Sequence, residues 1–120
     1  MEKQLLIIDD NADLLMMLTA LLKTKGYAIT VSENADNIIQ LIKEVKPDII
    51  LMDMLLSGAD GRELCKLIKG DVSIASVPLV MLSAYPQAVT ECMAAGADAF
   101  IEKPFDMKVL LDTLSSLHPS

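Results

Sequence analysis

Two adjacent carboxylates, Asp9 and Asp10, close the apolar run LLII. Three later polar residues stand in a similar position: Asp53 after IILM, Ser83 after VML, and Lys103 two places beyond AFI. Neighbouring carboxylates hinder each other's ionisation, and an unsolvated carboxylate costs several kcal/mol, so this placement calls for positive charge. Three carboxylates within ~5 Å would repel by about 3 kcal/mol per pair at an effective dielectric near 20. Lys103 supplies one positive unit, and three negative charges plus one positive leave a formal −2, the complement of one divalent ion. An all-oxygen donor set with open water positions favours magnesium. A carboxylate beside magnesium and an ammonium is placed to attack phosphorus, because both cations offset charge on the phosphoryl oxygens. Asp53 is the candidate nucleophile.

Taken singly, each residue has an ordinary explanation. Asp10 and Asn11 fit a helix cap, Asp53 a turn acid, Ser83 a cap, and Lys103 a solvated amine. Jointly those explanations weaken, because all five groups fall on one edge of the same predicted sheet.

That sheet follows from the hydrophobic pattern. Short apolar runs at Gln4 to Ile8, Ala28 to Val31, Asp48 to Met52, Val77 to Leu82 and Ala99 to Ile101 alternate with segments of helical period. Such alternation predicts an α/β fold, a doubly wound parallel sheet of five strands with five helices covering both faces. The first helix places Leu14, Leu18, Leu21 and Leu22 on one stripe, carries Lys23 and Lys25 in its last turn and stops at Gly26. The second presents Ala35, Ile38, Ile39 and Ile42 and ends before Pro47, while the last presents Leu110, Leu111, Leu114 and Leu117. Two more helices are predicted at Asp60 to Lys69 and Gln87 to Ala95, the latter closed by Gly96. In such sheets ligands bind beyond the carboxyl ends of the strands, where strand order reverses. The polar residues named above sit at those ends.

The bulk composition narrows the function classes. The 120 residues, 52% of them hydrophobic, suit one domain, expected over residues 1–120. Ten Lys plus Arg against seventeen Asp plus Glu give a net charge of −7, which argues against direct nucleic-acid binding. Cys65 and Cys92 lack any zinc-ligand spacing and read as core thiols of a reducing cytoplasm. No apolar run approaches the ~20 residues a membrane span needs, and the run after Met1-Glu2-Lys3 is too short for a signal peptide, so a cytoplasmic location is expected.

Four motifs, IIDDN at 7–11, IILMDMLLSGADG at 49–61, VMLSA at 80–84 and FIEKPF at 100–105, lie in order at familiar distances. Through them the chain resembles a receiver domain of the two-component response regulators, from Lys3 to about Leu117. The resemblance implies a flavodoxin-like strand order 2-1-3-4-5. It also implies that Asp53 accepts a phosphoryl group from a histidine kinase or phosphotransfer protein, forming an acyl phosphate. By the same match Asp10 would bind magnesium directly, Asp9 through water, and the Leu55 backbone carbonyl would add a ligand. Ser83 would hydrogen-bond the phosphoryl oxygen and Lys103 would pair with it. Lys103-Pro104 would be a cis peptide, and Phe100 would turn inward as Ser83 moves. The fourth helix, fifth strand and fifth helix would contact a downstream partner or a second copy. Met16, pointing away from the core, would suit a docking phosphotransfer helix.

Two residues depart from the pattern. Ser57 replaces the family's usual proline, removing a rigid element from the loop after Asp53. Leu55 cannot orient an attacking water, and together with a shielding Tyr85 this predicts slow loss of the phosphoryl group. Leu55 also argues against a haloacid-dehalogenase-type phosphohydrolase, whose chemistry wants an acid at that position. A flavodoxin-type flavin carrier is disfavoured by acids in place of a hydroxyl-rich loop and by an aromatic content of 3%. The remaining rival is a receiver-fold binding module that signals without phosphorylation. Such modules typically lack part of the set that Asp9, Asp10, Asp53, Ser83 and Lys103 complete here.

Overall fold

A computed structural model describes residues 2–118; Met1, Pro119 and Ser120, at the ends of the expected 1–120 domain, lie outside the described residues. Five strands, β1 (Lys3–Ile8), β2 (Tyr27–Ser32), β3 (Ile49–Asp53), β4 (Leu79–Ser83) and β5 (Ala99–Glu102), form one parallel sheet in the order β2-β1-β3-β4-β5. Helices α1 (Ala12–Lys23), α2 (Ile38–Val45), α3 (Gly61–Lys69), α4 (Val89–Ala94) and α5 (Met107–Leu117) connect the strands and follow the last one.

The apolar runs are continuous because both sheet faces are covered, and successive side chains then feed two different cores. Leu5, Ile7, Ile49, Leu51, Val80, Leu82 and Ile101 point to the side covered by α1 and α5. Leu6, Ile8, Ile50, Met52, Leu79 and Met81 point to the side covered by α2, α3 and α4. Each fully buried leucine or isoleucine contributes about 1.5–3 kcal/mol of transfer free energy.

The buried stripe of α1 differs from the sequence expectation. Leu15, Leu18 and Leu22 form it, whereas Leu14 only flanks the core and Leu21 is 39% exposed. The physical reason is degeneracy: DLLMMLTALL is apolar nearly all round, so two neighbouring stripes have almost equal hydrophobicity and the crossing with the sheet decides. In the second helical segment, Ile38 and Ile42 are buried, but Ala35 precedes α2 and packs from its approach turn. The fourth is shorter than expected: a 3-10 turn at Pro86–Ala88 takes up its start, and Gly96 at φ +110° ends it. A short antiparallel ribbon pairing Leu55–Leu56 with Ala59–Asp60, not anticipated from the pattern, follows β3 directly.

Candidate functional site

Strand order reverses at β1, which has β2 on one side and β3 on the other. The pairing Ile8 with Met52 carries the next residues, Asp9 and Asp53, out of adjacent strands side by side. On the far side of β3, Asp53 pairs with Leu82, so Ser83 emerges one step later. The Lys103 amide donates to the Ser83 carbonyl oxygen at 2.8 Å and brings the start of the β5–α5 loop to the same edge. Asp9, Asp10, Asp53, Ser83 and Lys103 thus converge.

Asp9, Asp10 and Asp53 each offer an oxygen within 4.8 Å of the others. The Lys103 ammonium donates to Asp9 Oδ2 at 2.7 Å and lies 3.4 Å from Asp53 Oδ1. Asp9 is fully buried, and its Oδ1 accepts the Asn11 amide at 2.9 Å, so both of its oxygens are engaged within the protein. Asp10 is exposed and accepts the Ser57 hydroxyl on Oδ2 at 2.8 Å. Asn11, not Asp10, caps α1, its Oδ1 accepting from the Leu14 amide at 3.1 Å.

Burial pushes the Asp53 carboxyl above the ordinary carboxylate range, and repulsion from Asp9 and Asp10 adds to that shift while Lys103 opposes it. One ammonium does not neutralise three acids. The residues therefore fit a hard divalent cation: carboxylate donors, an excess of negative charge, and an aspartate whose ionisation such a cation would favour.

Beside Asp53 a cavity of about 160 Å³ is lined by Leu55, Ser83, Ala84, Tyr85 and Lys103. Ser83 is buried and its Oγ accepts the Tyr85 amide at 3.0 Å. Tyr85 and Leu55 are about half exposed at the mouth. Phe100 is partly buried against the α2–α4 core, the Lys103–Pro104 peptide is cis, and Met16 is 73% exposed.

Two supporting residues escape sequence reasoning. Ser57 stands out in the sequence only as a departure from proline, and its partner lies 47 positions away. Gly61 starts α3 directly against β3: a Cβ there would stand 2.6 Å from the Asp53 carbonyl oxygen and 2.9 Å from Met54 Cα. The glycine in GADG is the signal that could have revealed this close approach.

The family model of the response regulator receiver domain matches residues 5–115, and the chain belongs to that family. It is a signalling domain of two-component systems. The DNA-binding response regulator MtrA of Mycobacterium tuberculosis is 34% identical over 113 residues, which cover 92% of this chain and 48% of that protein. The chain thus spans about half the length of the curated relatives it matches. The solved structure of a response regulator from Chloroflexus aurantiacus superposes with a TM-score of 0.91 at 28% identity, covering 98% of both chains. The receiver domain of the sensor histidine kinase PA1611 from Pseudomonas aeruginosa, solved with magnesium in its active-site cleft, shares the fold at a TM-score of 0.88 and 24% identity over all of both chains. Among the described residues no helix is long and apolar enough to cross a membrane.

Proposed function

We propose that this chain is a phosphorylation-driven switch in which Asp53 accepts a phosphoryl group from a histidine kinase or phosphotransfer protein. The observation that carries the reading is the position of Asp53: half-buried, 3.4 Å from the Lys103 ammonium, and within 4.8 Å of two further acids. An Asp53 oxygen attacks phosphorus, the bond from phosphorus to the donor nitrogen breaks, and an acyl phosphate forms. Magnesium, held by Asp10, Asp53 and the Leu55 carbonyl, with Asp9 acting through water, would supply charge neutralisation at the phosphoryl oxygens. The outer role for Asp9 is supported by its two oxygens being engaged by Lys103 and the Asn11 amide.

Lys103 and Ser83 both line the cavity beside Asp53, where the ammonium would pair with one phosphoryl oxygen and the Ser83 hydroxyl would donate to another. Phe100 follows Ser83 inward. A phosphoryl group carries about −1.5 to −2 charge in place of a carboxylate, and a few kcal/mol suffices to rebalance two conformations of similar energy. The readout is assigned to the face of α4, β5 and α5, where Val89, Met93 and Val109 are exposed; it takes a protein partner or a second copy. Docking of the donor is assigned to α1 around Met16. We place the domain, over residues 1–120, in the cytoplasm, with no direct contact to nucleic acid at its net charge of −7.

Incubation with acetyl phosphate and magnesium followed by intact mass tests the reading. One phosphoryl adduct is expected on the wild type and none on Asp53→Ala; an adduct that survives the substitution overturns it. Chasing the adduct in magnesium tests the shielding by Leu55 and Tyr85, which a half-life of seconds or less would refute.

A further inference from the structure

Ser57 occupies the turn of the short ribbon that follows Asp53, and its hydroxyl donates to Asp10 Oδ2 at 2.8 Å. We propose that Ser57 is a positioning residue that holds the Asp10 carboxylate in ligating geometry and thereby sets the affinity of the site for its divalent cation. This inference rests on the metal-site reading above.

The electrostatics show why a holding group is needed. Lys103 pairs with Asp9 and Asp53, whereas Asp10 has no ion-pair partner among the described residues. An exposed carboxylate repelled by two others is driven to rotamers that swing it into water, and recovering the ligating rotamer then opposes cation binding. The Ser57 hydroxyl counters that drift with a hydrogen bond to a charged acceptor, the stronger kind.

The same contact also steadies a second donor. Ser57 is two residues from Leu55, whose carbonyl is the proposed backbone ligand, and the ribbon is closed at its other end by the Gly61 amide donating to the Met54 carbonyl oxygen at 2.5 Å. Tying the turn to Asp10 links the β1–α1 loop to the β3–α3 loop, so one hydroxyl presets ligands from both. Proline at this position would stiffen the turn but would leave Asp10 without its donor.

Magnesium titration of the unphosphorylated full chain by calorimetry separates these roles. Loss of an outer-shell partner typically weakens metal binding 10–100-fold, and for a solvent-exposed contact Ser57→Ala is expected at about 10-fold. Ser57→Thr, which keeps the hydroxyl, should remain within about twofold of wild type, and Ser57→Pro should resemble Ser57→Ala. In acetyl phosphate reactions the loss should appear in the magnesium concentration needed for half-maximal rate more than in the rate at saturating magnesium. Melting temperatures confirm that the variants fold. Wild-type affinity in Ser57→Ala, or affinity restored by Ser57→Pro, overturns the inference while leaving the metal site intact. Absence of magnesium binding by the wild type overturns the metal-site reading and this inference with it.

Discussion

The two faces of the sheet are packed from different materials. Against α1 and α5 the buried side chains are leucine, isoleucine, valine and one tyrosine. Against α2, α3 and α4 lie, among the described residues, all the buried sulfur-bearing ones, Met52, Met54, Met81, Cys65 and Cys92, together with the buried alanines Ala88, Ala95 and Ala97. Cys92 Sγ lies 3.6 Å from Met54 Sδ, under α4. Branched aliphatic side chains interlock in few arrangements, whereas unbranched thioethers refill a changed space at little cost. The first face thus suits a platform for Asp9, Asp10 and the Lys103 loop. The second lies beneath α4 and Phe100, where a phosphoryl-dependent rearrangement would have to be absorbed.

Matched core substitutions give the largest expected effects and the most direct challenge to this contrast. Leu18→Ala on the α1 face should fall near the top of the range of about 2–5 kcal/mol expected for such truncations, and Met81→Ala on the opposite face near the bottom, read from denaturant midpoints at constant slope. Comparable losses would break the contrast. A smaller effect is expected where α3 starts. Asp60 caps that helix, accepting the Arg62 amide at 2.9 Å, and Arg62 reaches on to Glu91 of α4. Asp60→Ala should cost about 1 kcal/mol near neutral pH. Hydrogen bonding from Arg62 holds the Asp60 carboxyl below its ordinary value. Its stabilisation is therefore present above about pH 4, the unfolded value, and is lost as pH falls through the lower native one. The cost of Asp60→Ala should shrink on acidification; a pH-independent cost would show that Arg62 does not stabilise the charged form of the Asp60 carboxylate.

The smallest effect has the opposite sign and sits on the edge shared by both faces. Burial first, then Asp9 and Asp10, raise the Asp53 carboxyl. Between its unfolded value of about 4 and its higher native value, the native state binds more protons than the unfolded one, so stability falls as pH rises through that window. In chelator near neutral pH, Asp53→Asn should melt above the wild type, and the gap should close below about pH 4. A variant that melts lower at neutral pH would mean that Lys103 more than offsets the burial and repulsion.

Much of this arrangement was legible in the sequence because the apolar runs are short, bounded and terminated by polar residues. LLII-Asp9, IILM-Asp53 and VML-Ser83 announce both a buried strand and the place where it opens to solvent. What escaped notice has physical causes. The stripe of α1 was ambiguous because Leu14 and Leu15 are alike and adjacent. The ribbon at Leu55–Asp60 is too short to show a period. The Ser57–Asp10 bond joins residues whose proximity exists only after β1 and β3 pair. Gly61 could be seen, but the backbone it must clear could not.

The pairing of the strands carries one further consequence. Ile8 lies opposite Met52, Met52 opposite Met81, and Met81 opposite Phe100. A parallel ladder moves only in whole residues of about 3.3 Å, and a one-residue slip turns every side chain to the wrong face. The sheet is in this sense a rack with fixed notches, which assigns each reactive group an integer address and admits no intermediate setting. Fine adjustment of distances such as the 3.4 Å between Lys103 and Asp53 is left to the loops beyond the last notch. Relatives that share the rack can therefore differ in rate and affinity through single loop residues while the scaffold beneath them stays unchanged.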